Sequence, residues 1–308
     1  MIKVSVILTT FNSEKFLSKQ LQSIVDQSFA VTNIIISDDG STDNTIQIIK
    51  EFQLKHLNIK LKVNELNIGY IKNFESSLKS AKGEIIFFAD HDDIWHIDKV
   101  KTILSYFNSQ NNIDVIFSDG YLIDDNGRHI NGTLFSRFNY LPEYDNFDQL
   151  LNKDYLTGAT MAVRKSSLEY LIPFHSEIVH DKWISILASI QNKLLIIPEK
   201  LIYYRLHNNQ KIGIKKPSLF NRLSFVRNRN FSTVVRQIDS YILRIKKREI
   251  NLRKMEKLIQ KKSFFEFRSK IKNLKFINRL FLVRNEMLKG NYHRFSSGYY
   301  SAISDIFV

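Results

Sequence analysis

The stretch EIIFFADHDDIW, residues 84–95, sets five consecutive apolar residues, Ile85 to Ala89, directly before Asp90, His91, Asp92 and Asp93. Ile85, Ile86, Phe87, Phe88 and Ala89 read as a buried strand. The acidic cluster then falls at the strand's carboxyl end, which is where open α/β sheets bind their ligands. Turn formation or helix capping explains one aspartate at such a place. It does not explain Asp90, Asp92 and Asp93 together, because three packed carboxylates repel one another. A divalent cation relieves that repulsion. Mg²⁺ or Mn²⁺ takes one or two carboxylates and completes its shell with phosphate oxygens, so the stretch predicts a diphosphate site.

Outward from this strand, the pattern alternates. Strands are predicted over 3–10, 33–37, 59–64, 84–90 and 113–119. Helices are predicted over 13–27, with Ser13 as N-cap, over TIQIIKEFQLK, over 70–81 ending near Gly83, and over 96–110. Such alternation implies a mostly parallel sheet with helices on both faces. Beyond residue 120 the signals mix. A hairpin is expected around Asp125-Asn126-Gly127, further strands in GATMAVRK and KLLIIPEKLIYYRLH, and a helix in VHDKWISILASIQ. Two more acidic features end predicted strands, Asp38-Asp39 and Asp119. For Asp43 capping is the default reading, and for Asp119 a turn.

The chain has 308 residues, 44% of them apolar, enough for one large domain or a domain with an appendage. It has no cysteine, which excludes disulfides and thiolate metal sites. The opening MIKVSVILTTFN lacks the form of a signal peptide, and no run of about 18 apolar residues occurs, so neither export nor a membrane span is expected. The net charge of +14 is uneven: residues 211–308 hold 24 Lys and Arg against 6 Asp and Glu, and residues 1–210 hold 21 against 25. Two regions follow, 1–212 with the acidic clusters and 213–308 as a basic, mainly helical extension.

Taken in order, VSVILTTFNSEKFLSKQLQSIVDQ, IIISDDGSTDNT, NIGYIKNFESSL, FFADHDDIW, TGATMAVRK and HDKWISILAS resemble the family 2 glycosyltransferases of the GT-A nucleotide-sugar-binding fold. DHDDIW, NIGYIKNFE, HDKW and YRLH are similar to the bacterial rhamnosyltransferase-like subgroup. The resemblance implies an inverting, metal-dependent transfer from a nucleoside-diphosphate sugar, with dTDP-rhamnose or a UDP-hexose as donor. The acceptor it implies is a hydroxyl of a surface polysaccharide or lipid-linked glycan. It places Thr9, Thr10, Asn12, Asp38 and Asp39 at the base and ribose, and Asn67, Gly69 and Lys72 near the nucleotide. Asp90 and Asp92 become the D-x-D pair with the metal on Asp92, Asp93 supports the sugar or the ligand shell, and Trp95 packs beneath. Asp181 would be the base that deprotonates the acceptor, against a plain N-cap reading. His207 would be a further metal or phosphate ligand, or a surface histidine. His91 would point away, His180 would assist the site or serve the structure, and Gly158 would allow a close backbone approach.

Two other classes compete. A metal-dependent nucleotidyltransferase also sets carboxylates on phosphates, but expects a glycine-rich phosphate loop near the first strand, and TTFNSEKF has no glycine. A non-catalytic basic adaptor would need only the tail. In that tail Phe220, Phe225, Phe231, Phe264, Phe265, Phe267, Phe276 and Phe281 lie among Lys and Arg. This suits peripheral docking on an anionic membrane from the cytoplasmic side, or a helical subdomain with a solvated basic face. Nucleic acid is not expected as a partner, since no nucleic-acid motif accompanies the charge.

Overall fold

In the computed structural model, residues 2–140, 147–207, 231–245, 250–271 and 273–307 are described. The chain divides into two compact units, one of 1–145 with 154–211 and one of 146–153 with 212–308. The short segment 146–153, which the sequence reading kept within 1–212, therefore belongs with the second unit.

Among the described residues, the first unit is built on a nine-stranded sheet. Its strands are β1 (Val4–Thr10), β2 (Asn33–Asp38), β3 (Ile59–Val63), β4 (Ile85–Ala89), β5 (Ile94–Trp95), β6 (Val115–Ile123), β7 (His129–Thr133), β8 (Met161–Arg164) and β9 (Leu194–Arg205). They lie in the order β3-β2-β1-β4-β8-β6-β9-β5, with β7 paired to β6. The long ladders, β1 with β2 and β4, β2 with β3 and β6 with β9, are parallel. β8 runs antiparallel between β4 and β6. Every residue of β4 is buried, as its unbroken apolar run requires. The intervening helices are α1 (Leu17–Val25), α2 (Thr45–Lys55), α3 (Tyr70–Leu78), α4 (Lys99–Ser109) and, later, α5 (Leu134–Phe138), α7 (Leu168–Leu171) and α8 (His180–Ile190).

Two local readings change. Ser13 does not cap α1: its carbonyl accepts from the N–H groups of Phe16 and Leu17, closing a turn before the helix starts at Leu17. Asp119 does not end a strand. β6 runs on to Ile123, and the buried Asp119 carboxylate accepts from the N–H groups of Gly120 (2.8 Å) and Phe135 (3.0 Å). β9 carries Pro198, which has no N–H to donate, and the β6–β9 register slips between Ser118–Ile197 and Asp119–Lys200. The hairpin expected at 125–127 joins β6 to β7.

The second unit has helices α6 (Phe147–Asn152), α9 (Phe231–Ile245), α10 (Leu252–Ile271), α11 (Phe276–Leu288), α12 (Asn291–Phe295) and α13 (Tyr299–Phe307). Phe231, Phe264, Phe265, Ile271, Val283, Tyr292 and Phe295 form its core. Arg268 is buried there, its guanidinium donating to both Asp305 oxygens at 2.6 and 2.7 Å and lying 4.2 Å over the Phe231 ring. A bidentate pair with further hydrogen bonds is the form in which buried charge is tolerated. Tyr292 and Ser296 supply those bonds. Phe220 and Phe225 lie outside the described residues.

Candidate active site

Because β1, β2 and β4 are parallel neighbours, their carboxyl ends open on one edge of the sheet. Thr9-Thr10, Asp38-Asp39 and Asp90–Asp93 meet there. β8 is antiparallel to β4, so the tight turn Gly158–Thr160 before it reaches the same edge. The end of β9 joins them, since the Arg205 N–H donates to Asp93 at 3.0 Å.

On the nucleotide side, much of the predicted chemistry is already engaged within the protein. Asp38 is fully buried and accepts from the Gly40 and Ser41 N–H groups and the hydroxyls of Thr10 and Ser41. It therefore builds the loop that follows β2. Asp39, also buried, accepts from Asn64, Ile68 and Gly69, which fixes the segment that leads into α3. Gly69 sits at φ +84°, a conformation L residues rarely adopt, with Asn67 accepting from its N–H. Asn12 is exposed and ties two loops, donating from its backbone to Ser41 and accepting from the Thr42 N–H. Thr9 is half-buried, and Lys72 is exposed in the first turn of α3.

The carboxylates of the acidic cluster act on one another's charge. Burial, then the charges of Asp92 and Asp181, push the Asp90 carboxyl up to about 7. Burial, then Asp92 and Asp90, drive Asp93 well above the usual carboxylate range, and its Oδ2 is buried with no hydrogen-bond partner. Burial opposes the charge on Asp92 too, but the bond to His207 and the nearby His91 outweigh it and hold the carboxyl low. His207 Nε2 lies 2.8 Å from Asp92 Oδ2. Among the described residues no three His, Asp or Glu side chains close into a metal cage. Mg²⁺ and Mn²⁺ do not require such a cage, since they take one or two carboxylates and share phosphate oxygens. The orphaned Asp93 oxygen and the mutual repulsion of Asp90, Asp92 and Asp93 fit a missing positive charge, and Asp92 with His207 supplies an oxygen–nitrogen ligand pair.

Asp181 stands in the first turn of α8 with its side chain buried. Burial pushes its carboxyl up to about 7, assisted by Asp154 and opposed by N–H bonds from Lys182 and Gly158. The Lys182 N–H donates at 2.6 Å and the Gly158 N–H at 3.3 Å. Next to it His180 is buried among Phe74 (ring centroids 4.5 Å apart), Phe88 and Phe174, and neither ring nitrogen has a partner. Burial lowers its pKa to about 3, so it is a neutral packing group at working pH. A Cβ at Gly158 would lie 2.7 Å from His180 Nε2. Gly158 thus permits two contacts at once, its N–H on Asp181 and its bare Cα on the ring that precedes Asp181. Gly158→Ala is expected to displace the Asp181 carboxylate and lower kcat about 10–100-fold with donor KM little changed, since a misplacement of about 1 Å carries up to that cost. Steady-state kinetics on the folded variant checks this, and an unchanged kcat contradicts it.

Two residues of the site escaped the sequence reading. Lys99 is fully buried, 4.1 Å over the Trp95 ring, and donates to the Ala159 carbonyl at 2.6 Å. Burial lowers it to about 7 against the pull of Asp93 and Asp90. The signal was its place on the buried stripe of α4, four residues before Ile103 and eight before Phe107. Tyr204 is the other. Burial and then the charges of Asp93, Asp90, Asp92 and Asp181 push its phenol well above the ordinary value, so the hydroxyl stays protonated.

Residues 5–172 match the family model for Glycosyl transferase family 2. The chain is a family 2 glycosyltransferase. This glycosyltransferase is 31% identical over 251 residues to a dTDP-rhamnosyl transferase, RfbG, of Shigella flexneri, covering 75% of this chain and 83% of that one. Its fold is that of Staphylococcus aureus TarS 1-349 in complex with UDP-GlcNAc, at TM-score 0.64 and 19% identity over 99% of this chain and 89% of that one. The fold extends to the mannosyltransferase PcManGT of Pyrobaculum calidifontis in complex with GDP-Man and Mn²⁺, at TM-score 0.53 and 16% identity over 76% and 64% of the two chains. The GT-A architecture read from sequence is therefore present, and the nucleotidyltransferase and adaptor readings fall away for this glycosyltransferase.

Proposed function

We propose that the enzyme transfers a sugar from a nucleoside-diphosphate sugar, dTDP-rhamnose or a UDP-hexose, to a hydroxyl of a surface polysaccharide or lipid-linked glycan. The observation that carries this reading is the pairing of Asp181, a buried carboxyl brought to about 7, with the Asp90–Asp93 cluster, whose Asp90 carboxyl the charge of Asp181 helps to raise. A carboxyl near 7 is matched to taking a proton from an alcohol at neutral pH. Asp181 accepts that proton, and the oxygen attacks the anomeric carbon as its bond to the diphosphate breaks, through an oxocarbenium-like state. Attack opposite the diphosphate inverts the anomeric centre. Asp92 and His207 would hold Mg²⁺ or Mn²⁺, which when bound would supply Lewis-acid stabilisation of the leaving diphosphate. Asp90 and Asp93 flank that site, Gly69, Asn67 and Lys72 border the nucleotide with Asn12 and Thr9, and Gly158 orients Asp181. Support for the donor class comes from the family and from the nucleotide-sugar complexes of proteins with this fold.

The partner proposed for the basic extension, 213–308, is an anionic membrane surface on the cytoplasmic side, where a lipid-linked acceptor is presented. Among the described residues no helix is long and apolar enough to cross a membrane. A panel of nucleotide sugars with Mn²⁺ or Mg²⁺, scored for donor turnover, tests the function. Turnover of one donor class is expected, with dTDP-rhamnose and UDP-hexoses first, and no turnover across the panel contradicts it.

A further inference from the structure

The aromatic side chains of the basic extension divide sharply. Phe231, Phe264 and Phe265 are core residues packed around Arg268, so they present no face to a partner. Phe276 and Phe281 are exposed, and they are not isolated. On α11, Ile277, Phe281, Arg284 and Leu288 follow the i, i+4, i+7, i+11 spacing of one helix face, with Ile277 76% and Leu288 75% exposed. On α13, Tyr299, Ile303 and Phe307 follow i, i+4, i+8, and all are exposed. The Phe276 and Phe307 rings lie 5.9 Å apart, which joins the two faces into one surface. Contiguous exposed apolar surface of this kind marks an interaction site.

We infer that the joined outer faces of α11 and α13 are the membrane-docking surface of this protein and lie in the plane of an anionic bilayer interface. This deepens the membrane reading above by assigning the contact to α11 and α13 and withdrawing it from the aromatic face of α9 and α10. Charge selects the occupant. Lys275, Arg279, Arg284 and Lys289 stand on α11 or at its ends, against Glu286, which is bonded to Lys289 and Asn291. The acid of α13, Asp305, is buried on Arg268. A second copy of the chain on this face would set like charges against like, because a two-fold interface repeats the same patch. Anionic headgroups complement the charge, while the Phe, Ile and Leu side chains enter the acyl boundary and Tyr299 and Tyr300 suit the interface.

The test is flotation of the full chain with vesicles of phosphatidylcholine alone and of phosphatidylcholine with phosphatidylglycerol. The wild type is expected to float with the anionic vesicles and not with the neutral ones. Ile277→Ser, Phe281→Ser and Phe307→Ser combined should abolish flotation, and Lys275→Gln or Arg284→Gln should weaken it about fivefold each. These side chains are exposed, so circular dichroism should be unchanged. Flotation of the triple variant at the wild-type level overturns the inference, as does failure of the wild type to float. So does a change from dimer to monomer in the triple variant with vesicle binding untouched, which would assign the face to a second copy. Donor turnover in solution separates this from the catalytic proposal: turnover should survive the triple variant, and absence of turnover in a wild type that floats would remove the catalytic reading alone.

Discussion

Asp181→Asn is expected to lower kcat by about 10²–10⁴-fold, the range lost when a positioned general base is removed, while nucleotide-sugar binding stays at its wild-type level. The substitution nearly preserves shape. One side-chain oxygen remains to accept the Lys182 N–H bond, and the amide nitrogen faces the weaker 3.3 Å donor, Gly158. What disappears is the basic oxygen. The wild type carries a second signature. With the carboxyl brought to about 7, the deprotonated, competent form predominates only above that pH. Accordingly kcat should fall about tenfold per unit below pH 7 and level off above it, and Asp181→Asn should remove that acid limb. Wild-type kcat in the variant, or an acid limb that survives in it, would assign the base elsewhere.

Asp92→Asn should weaken metal-dependent donor binding on the order of 100-fold, the scale on which metal sites respond to lost support. Asparagine can still bond His207, so the loop is kept. The same substitution removes a charge that raises the pKa of both Asp90 and Asp93. Those two carboxyls are more easily ionised in the folded protein than before. Groups with raised folded pKa destabilise the fold as pH rises above their unfolded values, whereas Asp92, held low, stabilises it there, so at pH 8 the relief offsets the loss of the Asp92 carboxylate and the metal-free variant should melt close to the wild type. Calorimetric titration for binding and thermal melting for stability read the two effects. A variant that loses stability and keeps metal-dependent binding would contradict both.

The sheet's first half was legible because its signals are local. β1, β2, β3 and β4 each fall within a residue or so of the predicted runs, and α3 and α4 start at or a few residues within theirs. Apolar runs and turn residues suffice there. The second half was less legible because its determinants are non-local. β6 absorbs the predicted fifth strand and the first arm of the hairpin, since Asp119, read as a strand end, finds a buried partner in the Phe135 N–H sixteen residues on. β5 has two residues and exists through pairing with β9. At the site, residue type showed where charge gathers but not what engages it. The aspartates after β2 look alike in sequence to those after β4, yet Asp38 is satisfied by Thr10, Gly40 and Ser41 while Asp93 keeps an orphaned oxygen. Lys99 and Tyr204 became visible only when α4 and β9 were brought against that cluster. In the basic extension, spacing identified the aromatic residues but could not tell that Phe264 enters the core while Phe281 stays exposed.

The central claim is that the crowded carboxylates of the sheet edge are held together by a divalent cation and a nucleotide's diphosphate. Thermal melting at pH 8, with the nucleoside diphosphate of the donor selected by the panel, tests it most directly. The melting temperature should rise with nucleotide and Mn²⁺ together and stay at the ligand-free value with nucleotide in a chelator. An equal rise in the chelator would contradict it.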